Sequence, residues 1–328
     1  MTNVPLTNYK SRKILRINNQ NRLWFQFDTN IFCLTNSESA NKVIRNFHDA
    51  FVFIFSTIKR NPNENPLVLF DLRNIKEFSF TGRLALYAFI SNCRLRTLKL
   101  DIIKIILPES ETAAKDLEKS GFLDASQDYS VDRLNARWDR PGRYMSGYDP
   151  DKHIDPLLNI LDQELKGALP EELKSAITEA TLNVVDHAYK NVTENPSLKD
   201  NHLVNDRWWI HYEFDTKASI LNFAITDQGF GIPKTFKDDP TLKALSNAER
   251  IEYAMINGNT SMNETKHGKG SKNIKRPVER SKTDTLTILS WNGLYEYNKE
   301  TEEPKLQDLK NLDDAGYIGT LLAWSIEI

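Results

Sequence analysis

The stretch EATLNVVDHAY, residues 179–189, lies inside a candidate helix running from about Pro170 to Lys190. With successive residues about 100° apart round a helix, Leu173, Ala176, Ile177, Ala180 and Val184 form one apolar stripe, and Glu179, Asn183, Asp186 and Lys190 share a neighbouring polar arc. An acid and a carboxamide at i and i+4 stand one above the other. That pairing suits gripping a hydrated metal ion and placing a water beside it. Glu and Asn four apart are also common on solvated helix faces, so the pair takes its meaning from the residues further along the chain.

About forty residues on, SILNFAITDQGFGIP (219–233) reads as a β-branched, largely apolar strand ending in Asp227 and a turn carrying Gly229 and Gly231. The glycines let backbone come close to a flat ligand, and Asp227 offers an acceptor to an exocyclic amine. NGNTSMNETKHGKGSKNIKR (257–276) is small, polar and basic, with Gly268 and Gly270 just before a short helix. Backbone amides of such a loop bind phosphate. It is not a Walker A loop, because Gly268-Lys269 is followed by Gly270 where that motif needs Ser or Thr. YIGTLLAWSIEI (317–328) reads as a closing strand that opens on Gly319-Thr320.

In this order the four pieces resemble the GHKL ATPase family of gyrase-type, chaperone, histidine-kinase and mismatch-repair proteins. Glu179 to Ala188 is similar to its N box (ExxxNxxxHA), Asp227 to Ile232 to its G1 box (DxGxGI), His267 to Lys272 to its glycine-rich lid, and Gly319-Thr320 to its GT box. The resemblance covers about residues 151–328. It implies an α/β two-layer sandwich of the Bergerat type that binds ATP and Mg²⁺. Asn183 would hold the metal, Glu179 would position or deprotonate the attacking water, and Asp227, helped by Thr320, would bond the adenine amino group. Gly229, Gly231, Ile232, Gly268 and Gly270 would shape pocket and lid, with Asp186 beside Asn183 and with His187 and Lys269 near the phosphates. The lid departs from the family pattern: Ser271-Lys272 stand where Leu-Gly is usual.

The chain has 328 residues, 40% hydrophobic and 27% charged, with a formal net charge of −2. This length accommodates two domains. Lys+Arg (43) and Asp+Glu (45) nearly cancel, so no global basic field argues for nucleic acid. Two cysteines, Cys33 and Cys93, supply neither a Cys-rich metal site nor a disulfide framework, which fits a reducing cytoplasm. The N-terminus lacks the apolar core of a signal peptide and no run is long enough to span a bilayer. A cytoplasmic protein with no membrane contact is expected.

Upstream, residues 13–28 read as two strands about a turn at Asn18 to Asn21, Ser37 to Arg60 as a helix, Leu67 to Leu72 as a buried strand, Thr81 to Thr97 as a helix, Asp101 to Leu107 as a strand and SETAAKDLEKSGF as a closing helix. Strand-helix alternation of this kind argues for a mixed α/β sheet. Over roughly residues 10–125 it resembles the STAS domain of anti-sigma-factor antagonists, on FDLRNIKEFSFTGRLALYAF and PESETAAKDLEKSGF. The family's phosphorylated serine falls on Phe80, and Thr81 keeps a hydroxyl one place later. A docking module without a phosphosite is therefore expected.

The expected organisation is a STAS-like module in 1–125, a Pro/Gly/Asp-rich linker in 126–150 and the ATPase module in 151–328. Helices from Ile154 and from Ser246, the latter with a Ser246/Glu249 capping box, a hairpin over 208–227, strands over 283–297 and an exposed acidic loop over 296–314 complete it. Trp208 and Trp209 are expected in the core, and the scattered histidines offer no zinc spacing. The functional expectation is Mg-dependent ATP hydrolysis coupled to lid conformation and to a protein partner docked on the N-terminal module. Alternatives are an anti-sigma-type Ser/Thr kinase and a nucleotide-free scaffold; homodimerisation stays open.

Overall fold

The computed structural model describes residues 12–17, 20–27, 29–128, 130–189, 205–236, 239–256, 270–310, 312 and 315–328. The N-terminal part runs β1 (Arg12–Ile17), β2 (Gln20–Gln26), β3 (Ile31–Phe32), α1 (Ser37–Arg60), β4 (Leu67–Asp71), β5 (Glu77–Phe78), α2 (Phe80–Thr97), β6 (Ile103–Ile106), α3 (Glu111–Lys119) and α4 (Phe122–Ala125). β1 and β2 pair antiparallel, and β2, β4 and β6 pair parallel in the order β1-β2-β4-β6. β3 and β5 form a separate two-stranded ribbon. α1 starts where Asn36 accepts from the Glu38 and Ser39 amides and ends on Lys59 and Arg60, charges that suit the two ends of a helix dipole.

The C-terminal part continues through α5 (Val131–Ala136), β7 (Tyr144–Gly147), α6 (Pro150–Glu164), α7 (Glu171–Asn183), β8 (Trp208–Asp215), β9 (Ile220–Asp227), α8 (Ile232–Thr235), α9 (Asn247–Met255), α10 (Gly270–Lys275), β10 (Thr285–Trp291), β11 (Gly293–Tyr297), β12 (Lys305–Asp308) and β13 (Tyr317–Glu327). Seven strands form one antiparallel sheet in the order β12-β11-β10-β13-β9-β8-β7. The molecule is thus a mixed α/β protein. Ser246 and Glu249 make both bonds of the capping box at the start of α9.

Alternate side chains of the large sheet enter different cores, because successive strand residues point to opposite faces. Phe223 and Ile225 of β9 and Leu322 and Trp324 of β13 pack with Leu173, Ala176, Ile177 and Ala180 of α7 and with Leu157 and Leu161 of α6. Ala224, Trp209, Leu289, Leu321 and Ala323 point the other way, into a cluster that includes Val43, Phe47 and Ala50 of α1 and Leu84, Ala88 and Cys93 of α2. The layers are therefore α6/α7, the large sheet, α1/α2, and the small sheet. The N-terminal module is not a tethered neighbour: its two long helices seal the second face of the C-terminal sheet.

Polar contacts cross this boundary as well. The Trp209 indole donates to Ser91 Oγ at 3.0 Å, and Phe80 stacks on the His211 ring at 4.5 Å between centroids. Arg83, only 4% exposed, spans Asp116 of α3 and Glu213 of β8 at 2.6 Å each. Burial favours the neutral form of His211.

Two readings differ from the sequence expectation. Residues 126–150 are not a slack linker: α5 is capped by Ser130, and β7, all four residues buried, pairs with β8 as an edge of the large sheet. Gly147 lies flat against Trp208, where an added Cβ would come within 2.5 Å of the ring. The tetrapeptide YMSG has neither alternation nor β-branching to announce a strand. The acidic loop over 296–314 likewise contains β12, whose half-exposed KLQD pairs with β11 as the opposite edge. Among the described residues no helix is long and apolar enough to cross a membrane.

Candidate functional site

α7 forms where the sequence places it. Glu171 and Glu172 occupy its first turn, favourable at the positive end of the helix dipole, and all five residues of the expected stripe are buried. Glu179 and Asn183 are half-buried beside that stripe. Beyond Asn183 the chain departs from an α-helix: Val184–Ala188 is a π-helical turn. Such turns wind more slowly than an α-helix and recur at functional sites. Asp186 and His187, both half-buried, therefore leave the regular arc that the sequence spacing drew through Glu179 and Asn183.

The end of this turn is stitched to the loop after β9. The Phe230 amide donates to the Ala188 carbonyl at 2.9 Å. Tyr189 donates to the Arg207 carbonyl at 2.7 Å and accepts from the Gln228 amide at 3.1 Å. Burial pushes the Tyr189 phenol upward, so it stays protonated and able to donate. Gly229 sits against Ala188 so closely that a Cβ would fall 2.1 Å from the Ala188 oxygen. Only a residue without a side chain lets the two segments meet there.

Asp227, the last residue of β9, is 4% exposed. Its Oδ1 accepts from the Gly229 amide at 2.7 Å and its Oδ2 from the Thr320 amide at 3.2 Å. Burial pushes this carboxyl up to about 7, against the pull of those two donors. Each oxygen accepts one bond here, and a carboxylate oxygen accepts two, so the group keeps capacity for an incoming donor. Next to it the Gln228 amide oxygen is buried without a partner among the described residues.

A second set of bonds joins this turn to the closing strands. Ser290 of β10 accepts from the Ile232 amide at 2.9 Å and its hydroxyl lies 3.0 Å from that of Thr320. Thr226 donates to the Thr320 carbonyl at 2.8 Å and meets the Tyr317 hydroxyl at 2.8 Å. Gly319 has φ +90°, and a Cβ there would lie 2.2 Å from the Asp227 carbonyl oxygen. Gly319→Ala is therefore expected to combine left-handed backbone strain with overpacking and to lower stability by about 1–3 kcal/mol. Urea unfolding followed by tryptophan fluorescence measures it; an unchanged midpoint would show that the turn yields freely.

The structure thus brings together Asp227, Gly229, Gly231, Ile232 and Thr320, with the end of the Glu179 and Asn183 helix against them. Gly270 opens α10, which packs against α7. Gly268 and Lys269 lie outside the described residues. Tyr189, Thr226, Ser290 and Tyr317 escaped the sequence reading. Their bonds join residues far apart in the chain, and no local spacing marks them.

Among the described residues no group of three or more His, Cys, Asp or Glu could hold a metal ion. The Asn183 carboxamide, which the resemblance makes the metal ligand, is an oxygen donor of the kind that Mg²⁺ takes beside its waters and substrate phosphates. No protein-family model matches the chain, and no curated protein matches it either.

Proposed function

We propose that the chain is an ATP-binding protein with a GHKL-type, histidine-kinase-like site on a Bergerat-type sheet, and that it hydrolyses ATP slowly with Mg²⁺. The observation that carries this reading is the buried Asp227 carboxylate, fixed by the Gly229 and Thr320 amides, with the Ala188 end of the Glu179 and Asn183 helix packed on the same turn. Asp227 would accept from the adenine amine, Asn183 would hold Mg²⁺, and Glu179 would orient the attacking water. Mg²⁺, when bound, supplies charge neutralisation on the transferring phosphoryl group. The N-terminal STAS-like module would carry the output to a protein partner.

Transfer of phosphate to this chain's own Ser79 or Thr81 is opposed by their packing. Thr81 is 7% exposed, and Ser79 caps α2 by accepting from the Gly82 amide at 3.0 Å. Phe80, at the acceptor position of the resembled family, stacks on His211 instead of facing solvent. Water is therefore the favoured acceptor.

Calorimetric titration with ATP·Mg and GTP·Mg tests the reading. A carboxylate aimed at an exocyclic amine rejects a guanine carbonyl, so GTP should bind about a hundredfold weaker, a difference of ~2.7 kcal/mol. Equal affinity for the two nucleotides, or no saturable ATP binding, would sink it.

A further inference from the structure

Trp208 and Asp227 are the last pair of the ladder between β8 and β9, and the next residues in register are Arg207 and Gln228. Along an antiparallel strand the backbone groups turn to one neighbouring strand and the other in alternation. The Ile328 amide donates to the Ser219 carbonyl at 2.8 Å, so odd residues of β9 turn their backbone to β13 and even residues turn theirs to β8. The Gln228 amide is thus directed at the Arg207 carbonyl, and one more ladder bond would zip the strands past Asp227. The Tyr189 hydroxyl takes both groups: it accepts from the Gln228 amide at 3.1 Å and donates to the Arg207 carbonyl at 2.7 Å.

Both sides of this wedge are anchored. Arg207 is buried, and its Nη1 donates at 3.0 Å to Ser146 Oγ of β7, which in turn donates to the Trp208 carbonyl at 2.8 Å. The Tyr189 ring is buried with the side chains of α7 and β9. One place earlier the Ala188 carbonyl takes the Phe230 amide at 2.9 Å, and between the two bonds the Gly229 amide goes to Asp227 Oδ1 at 2.7 Å. Three successive amides are therefore committed, the outer two to the end of the π-helical turn and the middle one to the carboxylate.

The geometry points to Tyr189 as the positioning residue of the adenine end of the site, a role that rests on the nucleotide reading of Asp227. Its hydroxyl, inserted between the ends of β8 and β9, stops the ladder at Asp227 and keeps the 228–230 turn in the shape that presents the carboxylate. Tyr189 acts through Asp227 and touches no reacting atom. Without the hydroxyl, the Gln228 amide and the Arg207 carbonyl either stay buried and unpaired, which is costly, or close on each other and draw the turn inward. The turn moves in both cases.

Calorimetry on the full chain compares the wild type with Tyr189→Phe, which keeps the buried ring and removes one oxygen. ATP·Mg should bind about tenfold weaker to the variant and GTP·Mg as before, so the preference for adenine narrows about tenfold. In turnover KM for ATP should rise while kcat stays within about twofold, the signature of lost ground-state binding, because Glu179 and Asn183 precede the π-helical turn. A tyrosine that only stabilises the fold would lower the thermal midpoint and leave both affinities unchanged below it. That result overturns the role of Tyr189, as does an equal loss for the two nucleotides, while ATP binding by the wild type leaves the nucleotide reading standing. Absence of saturable ATP binding by the wild type removes both. Hydrogen exchange of the nucleotide-free wild type covers a variant that fails to fold: the Gln228 amide should be protected like the core of β9, and exchange at the rate of an open loop overturns the wedge.

Discussion

Glu179→Ala is expected to keep ATP binding and to lose most phosphate release. Glu179 lies four residues before Asn183 on α7, so under the proposed reading a water held near Asn183 would fall within reach of its carboxylate. General-base assistance of this kind is worth ~10²–10⁴ in rate, and single-turnover release of γ-labelled phosphate reads it directly. Glu179→Gln, which keeps the shape but not the basicity, should fall nearly as far. The residue sits on the half-buried side of α7, away from the core stripe, so the loss should come without a comparable loss of stability. An unaffected rate in both variants would remove Glu179 from the chemistry, and stoichiometric label on protein with negligible free phosphate would reverse the order of acceptors.

Asp227→Ala should weaken ATP by about ten- to a hundredfold, since a hydrogen bond to a charged group contributes ~1.5–3 kcal/mol. The part-buried Gly229 amide and the buried Thr320 amide lose their acceptor at the same time, so part of the loss is collapse of the turn. Asp227→Asn separates the two effects by keeping size. Its amide nitrogen must face one of the two N–H donors, so binding still suffers. The same carboxyl gives a pH signature. Burial raises it from 3.8 to about 7 in the fold, so between those values the folded chain holds a proton that the unfolded chain has released. Its stabilising contribution is full below about pH 4 and is lost as pH rises through 7. Thermal midpoints of nucleotide-free protein should therefore fall more steeply between pH 5 and about 7 in the wild type than in Asp227→Asn. Parallel slopes would show that the group titrates normally.

The regular elements were legible because their periods are strong. The 3.6-residue stripe of α7, the hairpin of β8 and β9 and the capping box of α9 each announce themselves within a dozen residues. The pieces around Asp227 were legible for a related reason, since acids and glycines at fixed spacing are local marks. What escaped was non-local. β7 and β12 are edge strands whose pairing is decided by Trp208 and Tyr295 on neighbouring strands and not by their own four residues. Ser290 is marked out by its bonds to Ile232, Gly319 and Thr320, residues 58, 29 and 30 positions away. The π-helical turn comes after a sequence that reads as ordinary helix, and the docking of α1 and α2 on the large sheet is marked by no local spacing, since the face they cover mixes the small Ala224 and Ala323 with the bulky Trp209, Leu289 and Leu321.

That two-sided sheet divides the history of the chain residue by residue. Along β9 the odd positions Phe223 and Ile225 answer to α6 and α7, while Ala224 between them answers to α1 and α2. Drift in the N-terminal helices can be absorbed by alternate positions that never touch the α6 and α7 side, and the reverse holds for the other register. Selection on ligand turnover and selection on the docked module would then write into the same strands without overwriting each other. Two lineages that share one register could differ throughout the second.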